Sequence, residues 1–308
     1  MSTLNVASRI YVISLPRSFN RRLDMEQIRY TLGLDFTYVT GTEANEDAVH
    51  RITKHVAALR ANHSLLPPFE WPQDVDELVE SESALGLEGS DLWLSDDIDF
   101  PDPPSHEPLT CARGNFNLDP YSPEMPPFRV LTKERLACWH SHWRAARLIA
   151  DGQDDVALIL EDDVDMELDI RQRLLGVWDS LPSTWDVVFL GHCWSDEAKM
   201  PAIASYKSSL LTKTVSVTSL HPSNSPKCTH AYALSKRGAR RLAVYLRYPP
   251  FAYSRAIDQA FAWLAKKGKL ESYSIVPSLV VQRKVYNSTI AKGKGGRRRN
   301  TLTRGVFV

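Results

Sequence analysis

Short apolar runs of strand length alternate with amphipathic stretches of helix length along most of this chain, which confines it to an α/β architecture built around one sheet. Arg9-Ile10-Tyr11-Val12-Ile13-Ser14-Leu15 is β-branched and aromatic and stops at Pro16, as a buried first strand would. Ser18 is placed to cap a helix through Leu32, closed by Gly33, and Asp35 to Thr40 reads as a second strand. The opening unit is therefore βαβ, with a basic turn of Arg17 and Arg21-Arg22 where the first strand ends, a good position for an anion. A helix is expected around Ala48 to Leu59.

Regularity then fades. Leu66 to Pro127 is rich in proline and acids, includes Pro101-Asp102-Pro103-Pro104, and overlaps a stretch, Ala61 to Ala112, that holds no Lys or Arg. It reads as a long insertion, about 61–128, partly ordered by Trp71, Trp93, Phe100 and Phe116, either a solvated excursion or a lid over the substrate. Beyond it Thr132 caps a helix from Glu134 to Ala150, and Val156 to Leu160 is a strand. Glu167 to Leu175 reads as a helix, Trp185 to Leu190 as a strand ending in Gly191-His192-Cys193-Trp194, and Thr229 to Leu234 as another. Ser235 caps a helix through Leu246, a last helix covers Arg255 to Lys267, and a final strand from Ser274 to Gln282 is interrupted by Pro277. The expectation is a Rossmann-type three-layer α/β/α sheet forming a single domain over 1–290, followed by a basic flexible tail, 291–308, that carries Lys292, Lys294, Arg297, Arg298, Arg299 and Arg304.

The run Ala157-Leu158-Ile159-Leu160 ends in Glu161-Asp162-Asp163, with Asp165 two residues on. Adjacent carboxylates at a strand end repel unless a cation, a positive side chain or a helix N-terminus compensates them. Mg²⁺ or Mn²⁺ holding a substrate's phosphates is one such compensation, and strand ends are where α/β folds bind ligands. The plainer alternative makes Asp163 or Asp165 a helix cap. Formal charge over the 308 residues sums to zero, so no global polyanion or polycation preference follows. Four scattered cysteines, Cys111, Cys138, Cys193 and Cys228, form no CxxC pair and fit a reduced compartment, with one disulfide left open. The polar start, Met1 to Ser8, is neither a secretory apolar region nor a membrane anchor, so a cytoplasmic protein without a transmembrane segment is expected.

Six blocks, in order, carry a resemblance: Tyr11 to Arg17 with Arg21-Arg22; Leu136-Ala137-Cys138-Trp139-His140-Ser141-His142; Ala157 to Asp163; Trp185 to Gly191; Ala231 to Ala239; and Ile257-Asp258-Gln259. Together they resemble glycosyltransferase family 25, which includes bacterial lipopolysaccharide and lipooligosaccharide galactosyltransferases and collagen hydroxylysine galactosyltransferases. The resemblance implies a GT-A-like fold, a UDP-sugar donor, galactose foremost, engaged through a divalent metal, Mn²⁺ or Mg²⁺, and inverting transfer to a glycan, glycolipid or protein hydroxyl. Residue by residue, it assigns Glu161, Asp162 and Asp163 to the acidic motif, Ser141-His142 to the family's Ser-His, Arg17 and Arg21 to its basic turn, and Asp258 to its late acidic position. The long acidic insertion, Leu136-Ala137 where the family usually has a Gly before the motif Cys, and the basic tail depart from it.

For such chemistry Asp163 is the favoured direct metal ligand, with Glu161 as a further ligand, His230 either a third ligand or a structural histidine, Asp162 directed to the ribose or behind the metal, and Asp165 a helix cap. Asp258 is either the general base for the acceptor hydroxyl or an acceptor-binding residue. His142 and Arg21 are placed for uridine or pyrophosphate, and His140 for packing. His192 and Trp194 either line an acceptor groove or belong to the core. Two rival classes stand beside the transferase: a metal-dependent phosphodiesterase or nuclease, and a non-catalytic carbohydrate-binding protein on the same fold. Nucleic acid is not the expected partner.

Overall fold

The computed structural model describes residues 2–62, 69–71, 73, 75–80, 107–208, 216–283, 285 and 302–307. Its framework is an eight-stranded mixed sheet: β1 (Arg9–Ser14), β2 (Thr37–Thr40), β3 (Val156–Glu161), β5 (Val187–Cys193), β6 (Ala204–Ser208), β7 (Ser216–Pro222), β8 (Lys227–Ser235) and β9 (Ser272–Val276). They lie in the order β2-β1-β3-β8-β5-β9-β7-β6. Two further strands, β4 (Val164–Met166) and β10 (Val280–Gln282), form a separate antiparallel pair. β1 runs parallel to β2 and β3, whereas β8 runs antiparallel to both β3 and β5. The C-terminal ends of β1, β3 and β5 and the N-terminal end of β8 thus meet at one edge of the sheet.

Period-two alternation explains the layers. Tyr11, Ile13, Ile159, Val187, Phe189, Tyr232 and Leu234 face one core, and Ile10, Val12, Leu158, Leu160, Val188, Leu190, Ala231 and Ala233 the other. The first core is covered by α2 (Asp47–Asn62), α3 (Val75–Glu80), α4 (Lys133–Asp151), α6 (Lys236–Tyr245) and α7 (Ile257–Lys266), and the second by α1 (Phe19–Leu32) and α5 (Ile170–Trp178). A large central sheet with helices on both faces is consistent with the expected Rossmann-like class. No helix among the described residues is long and apolar enough to cross a membrane.

Several local expectations hold. Ser235 caps α6, accepting the Gly238 N–H at 3.0 Å, and Gly33 closes α1 in the left-handed region with φ 61°. The capping expected of Thr132 and Ser18 does not hold: each precedes its helix, but neither side chain makes a capping hydrogen bond. Within the insertion, Trp71 joins Phe69, Tyr245, Tyr248, Phe251 and Trp263 in an aromatic cluster that Phe116 reaches through Phe69. Trp93 and Phe100 fall outside the described residues.

Other expectations are corrected. Asp165 is no helix cap: it lies in β4, its Oδ1 accepts the N–H groups of Met166 at 2.8 Å and Val306 at 2.9 Å, and its Oδ2 takes that of Phe307 at 3.4 Å. The helix expected from Glu167 starts at Ile170, because Glu167 is committed to the backbone N–H groups of Thr303 and Arg304, 2.6 and 2.9 Å away. Most of the tail read as flexible lies outside the described residues, but 302–307 are docked on β4, with Leu302 buried and Phe307 under the Arg283 guanidinium. Cys193 and Cys228 form a disulfide with Cα atoms 5.7 Å apart, leaving Cys111 and Cys138 free. The β6–β7 pair was not foreseen, since its polar sequence lacks a strand-like apolar run.

Candidate active site

An open cleft lies at the sheet edge where β1 and β3 end. Ile13, Leu15 and Gly41 give it an apolar wall, and Arg17, Arg21, Ser141, His142, Glu161 and Asp162 give it polar groups. Six of the residues that the resemblance assigned to the donor, Arg17, Arg21, Ser141, His142, Glu161 and Asp162, therefore line one cavity, whereas Asp163, His230 and Asp258 are not among its lining residues. A concave site with a few convergent polar groups is what a nucleotide-sized ligand requires.

The acidic motif is compensated from within the protein. Arg21, in the first turn of α1, places Nη1 3.0 Å from Asp162 Oδ1 and 3.2 Å from Asp163 Oδ2. Ser14, at the end of β1, hydrogen-bonds Asp162 and also receives Arg22 Nε at 3.0 Å. Arg17 is more exposed and pairs with Glu43 at 2.5 Å across the cleft mouth.

Burial raises the pKa of Asp162 against the opposing bonds from Ser14 and Arg21. Asp163 is pushed up to about 7, first by burial and then by the Glu161 charge, with Arg21 and Gln282 pulling it back. Gln282 Nε2 donates to Asp163 Oδ2 at 3.0 Å, and the Arg283 N–H to the Asp163 backbone carbonyl at 2.6 Å.

Glu161 behaves differently. Burial would raise its pKa, but the hydrogen bond and charge of His142, then His230 and Thr229, hold it below the usual carboxylate range. Thr229 Oγ1 donates to Glu161 Oε1 at 3.0 Å, and His142 Nε2 lies 3.5 Å from the same oxygen. The far side of the His142 ring, Nδ1, meets the Tyr232 hydroxyl at 2.9 Å. Tyr232, Glu161 and His142 thus form a chain that orients the imidazole.

Ser141 does not face a ligand with a free hydroxyl. Its Oγ donates to the Ala137 carbonyl and accepts the Thr42 N–H, both at 2.8 Å, so it positions the 41–44 wall of the cleft. His140 is a packing residue, as expected: Nδ1 meets Thr42 Oγ1 at 2.8 Å, and burial, followed by the Arg144 charge, lowers its pKa to about 4.

His230 is buried with Nε2 3.1 Å from the Val280 carbonyl, next to Gly191, where any Cβ would collide with the His230 ring and with Val280 O. Among the described residues no three His, Cys, Asp or Glu side chains are grouped so as to hold a metal, so Glu161, Asp163 and His230 do not form a three-ligand set. Two buried carboxylate oxygens, Asp162 Oδ2 and Asp163 Oδ1, have no hydrogen-bond partner.

Asp258 opens α7 on the neighbouring strand's side. Its Oδ2 faces the Cys228 N–H at 3.5 Å and its Oδ1 accepts the Gln259 N–H at 2.8 Å. Burial raises its pKa against these bonds and the Lys227 charge. Cys138 ties the two regions together: burial lifts its thiol well above the ordinary value, and the charges of Glu161, Asp258 and Asp163 add to it. Ser14, Thr42, Tyr232, Thr229 and Gln282 carry much of this geometry and had no role in the sequence reading. Only Tyr232 had a signal there, because alternation in its strand puts it on the same sheet face as α4.

Residues 115–259 match the family described as glycosyltransferase family 25 (LPS biosynthesis protein). The chain is also similar to procollagen galactosyltransferase 1 of Danio rerio, with 27% identity over 148 residues, and to procollagen galactosyltransferase 1-B of Xenopus laevis, with 27% over 151 residues. Each match covers 47% of this chain and 22% of the relative, so the chain spans about a fifth of the length of these curated proteins. The resemblance read from the motifs is borne out. The matched span contains the Ser-His pair, the acidic motif, His230 and Asp258, and leaves out Arg17 and Arg21.

Proposed function

We propose, from the premise that residues 115–259 belong to glycosyltransferase family 25, that this protein is a GT-A-like inverting glycosyltransferase. It moves a hexose, galactose in the first instance, from a UDP-sugar to an acceptor hydroxyl. The observation that carries this reading is the single cleft uniting Arg17, Arg21, Ser141, His142, Glu161 and Asp162 at the end of β3.

The residues present fit a divalent cation, Mn²⁺ or Mg²⁺, in one specific way. Asp162 Oδ2 and Asp163 Oδ1 are buried acceptors without donors, and such ions are commonly held by one or two carboxylates and completed by substrate phosphates. When bound, the ion would supply positive charge to the diphosphate leaving group.

The protein's own residues supply the rest. Arg17 and Arg21 offer guanidinium donors to the same diphosphate, and the Arg21 bridge fixes both aspartates before the donor arrives. Glu161, kept ionised by His142 and Thr229, holds the imidazole in place at the cleft wall. Asp258, with both oxygens oriented by backbone N–H groups, takes the proton of the acceptor hydroxyl. The new bond forms between that oxygen and the anomeric carbon, the bond to the phosphate oxygen breaks, and UDP leaves with the electron pair. Its raised pKa suits Asp258 to a base role by making the carboxylate a better proton acceptor.

A screen of UDP-galactose, UDP-glucose and their N-acetyl forms, read as UDP release with and without Mn²⁺, tests the proposal. Selective release from one donor supports it, and no release from any donor in the presence of simple glycoside and hydroxylysine acceptors contradicts it.

A further inference from the structure

Trp194 is the most exposed tryptophan among the described residues, 74% accessible, and it follows directly on the last residue of β5. A large apolar ring so far out of the core is unusual on a solvated edge, and its backbone is unusual too. Trp194 adopts φ 56° and Cys228, across the strand pair, φ 68°, both left-handed conformations that a residue with a Cβ occupies at a cost. The register of β5 against β8 shifts on either side of Gly191, an irregularity of the kind that redirects a strand end beside a functional site. The Cys193–Cys228 disulfide then fixes the strand end in that course.

The order of strands gives this geometry a meaning. Across the sheet edge, in the sequence β1, β3, β8, β5, stand the Arg17–Arg21 turn, the Glu161-Asp162-Asp163 motif, the Cys228–Thr229 start of β8 with Asp258 on its N–H, and Trp194. With neighbouring strands about 4.8 Å apart, Trp194 lies two strands beyond the acidic motif, on the far side of Asp258 from the diphosphate end. The Cα atoms of Cys193 and Cys228 are 5.7 Å apart, and one further residue adds about 3.8 Å at most. The Trp194 Cα thus lies within about 10 Å of the Cys228 Cα, whose N–H faces the proposed base.

We propose that Trp194 is the platform of the acceptor subsite and that the acceptor it takes is a saccharide, whose apolar C–H face stacks on the indole while a ring hydroxyl is turned toward Asp258. Aromatic faces suit this purpose because they combine a large contact area with few rotatable bonds. The inference rests on the transferase reading above and names the acceptor class and the residue that selects it.

Saturation-transfer NMR with methyl β-D-galactopyranoside and methyl β-D-glucopyranoside, run beside a hydroxylysine-containing peptide, tests it on the wild type, Trp194→Ala and Trp194→Phe. UDP affinity is measured on the same samples. The expected result is a glycoside affinity lowered roughly tenfold in Trp194→Ala and restored to within about threefold in Trp194→Phe, with UDP affinity unchanged. Glycoside binding that is absent in the wild type, or unaffected by Trp194→Ala, overturns the proposal, as does a peptide signal that depends on Trp194 when the glycoside signals do not. Failure of UDP to bind the wild type while Trp194-dependent glycoside binding persists would sink the donor reading and leave this subsite standing.

Discussion

The Arg21 guanidinium lies 3.0 Å from Asp162 and 3.2 Å from Asp163, so a residue from the first helix neutralises the carboxylates that end the third strand. The three side chains are 13%, 7% and 9% exposed, which makes the bridge a largely desolvated one. Removing one partner of such a group leaves charge buried without compensation. The same guanidinium lines the cleft.

Arg21→Ala should therefore lose both stability and UDP affinity. At pH 8 the loss of unfolding free energy is expected at about 3 kcal/mol, shrinking as the pH falls below about 7 because Asp163 then takes up a proton in the folded state. Arg21→Lys restores charge without the two-pronged geometry and should recover less than half of it. Denaturant unfolding at pH 8 and pH 5 measures this, and equal losses at the two pH values would contradict it.

Asp258→Asn should move activity and stability in opposite directions. Burial raises the folded-state pKa of this carboxyl, so the ionised form costs stability. That cost is absent below the unfolded pKa of about 4, where both states are protonated, and grows as pH rises toward the folded pKa. The amide variant should melt roughly 2–4 °C above wild type at pH 7.5 and converge with it near pH 4, while transfer to an acceptor falls by at least about 10²-fold. A variant that keeps transfer removes Asp258 from the base role.

The docked C-terminal residues predict a stability defect far from any ligand. Asp165→Ala strips the acceptor from the N–H groups of Val306 and Phe307, and Gly305→Ala drives a methyl group into the Asp165 carboxylate. Each should cost about 1–3 kcal/mol. Because Arg283, which covers Phe307, also holds the Asp163 carbonyl, protection of the Asp163 region in hydrogen exchange should fall as well. Wild-type exchange there in both variants would show the docking to be independent of the acidic motif.

Thiol counting of the unfolded chain checks the Cys193–Cys228 bond directly. Without reductant two thiols, Cys111 and Cys138, should react, and reduction should lower stability by about 2–4 kcal/mol. Four reactive thiols would remove the bond and the constraint on Trp194.

The central strands were legible because each is a continuous apolar run buried on both faces, as Val187 to Leu190 and Ala231 to Leu234 show. β6 and β7 were not, since an edge pair containing Ser205, Lys207 and Ser219 has no apolar period to read. Asp165 was misassigned because an acid just before an amphipathic helix looks the same whether it caps that helix or accepts N–H groups from residues some 140 positions away. In the site, a positive side chain was among the compensations foreseen for the acidic run, and the basic turn was foreseen at an anion-binding position, but their direct contact needs the β1–β3 pairing. His230 looked like a ligand because nothing local reveals that β10 passes its ring close to Val280 O. The disulfide joins cysteines 35 residues apart, a separation without a motif.

Calorimetric titration of UDP into the wild type and Asp163→Ala, each with and without Mn²⁺, bears most directly on the donor site at the end of β3. Binding by the wild type that strengthens with Mn²⁺ and is lost in a folded Asp163→Ala protein is the predicted result. Undiminished UDP binding by Asp163→Ala, or no binding by the wild type under either condition, would contradict it.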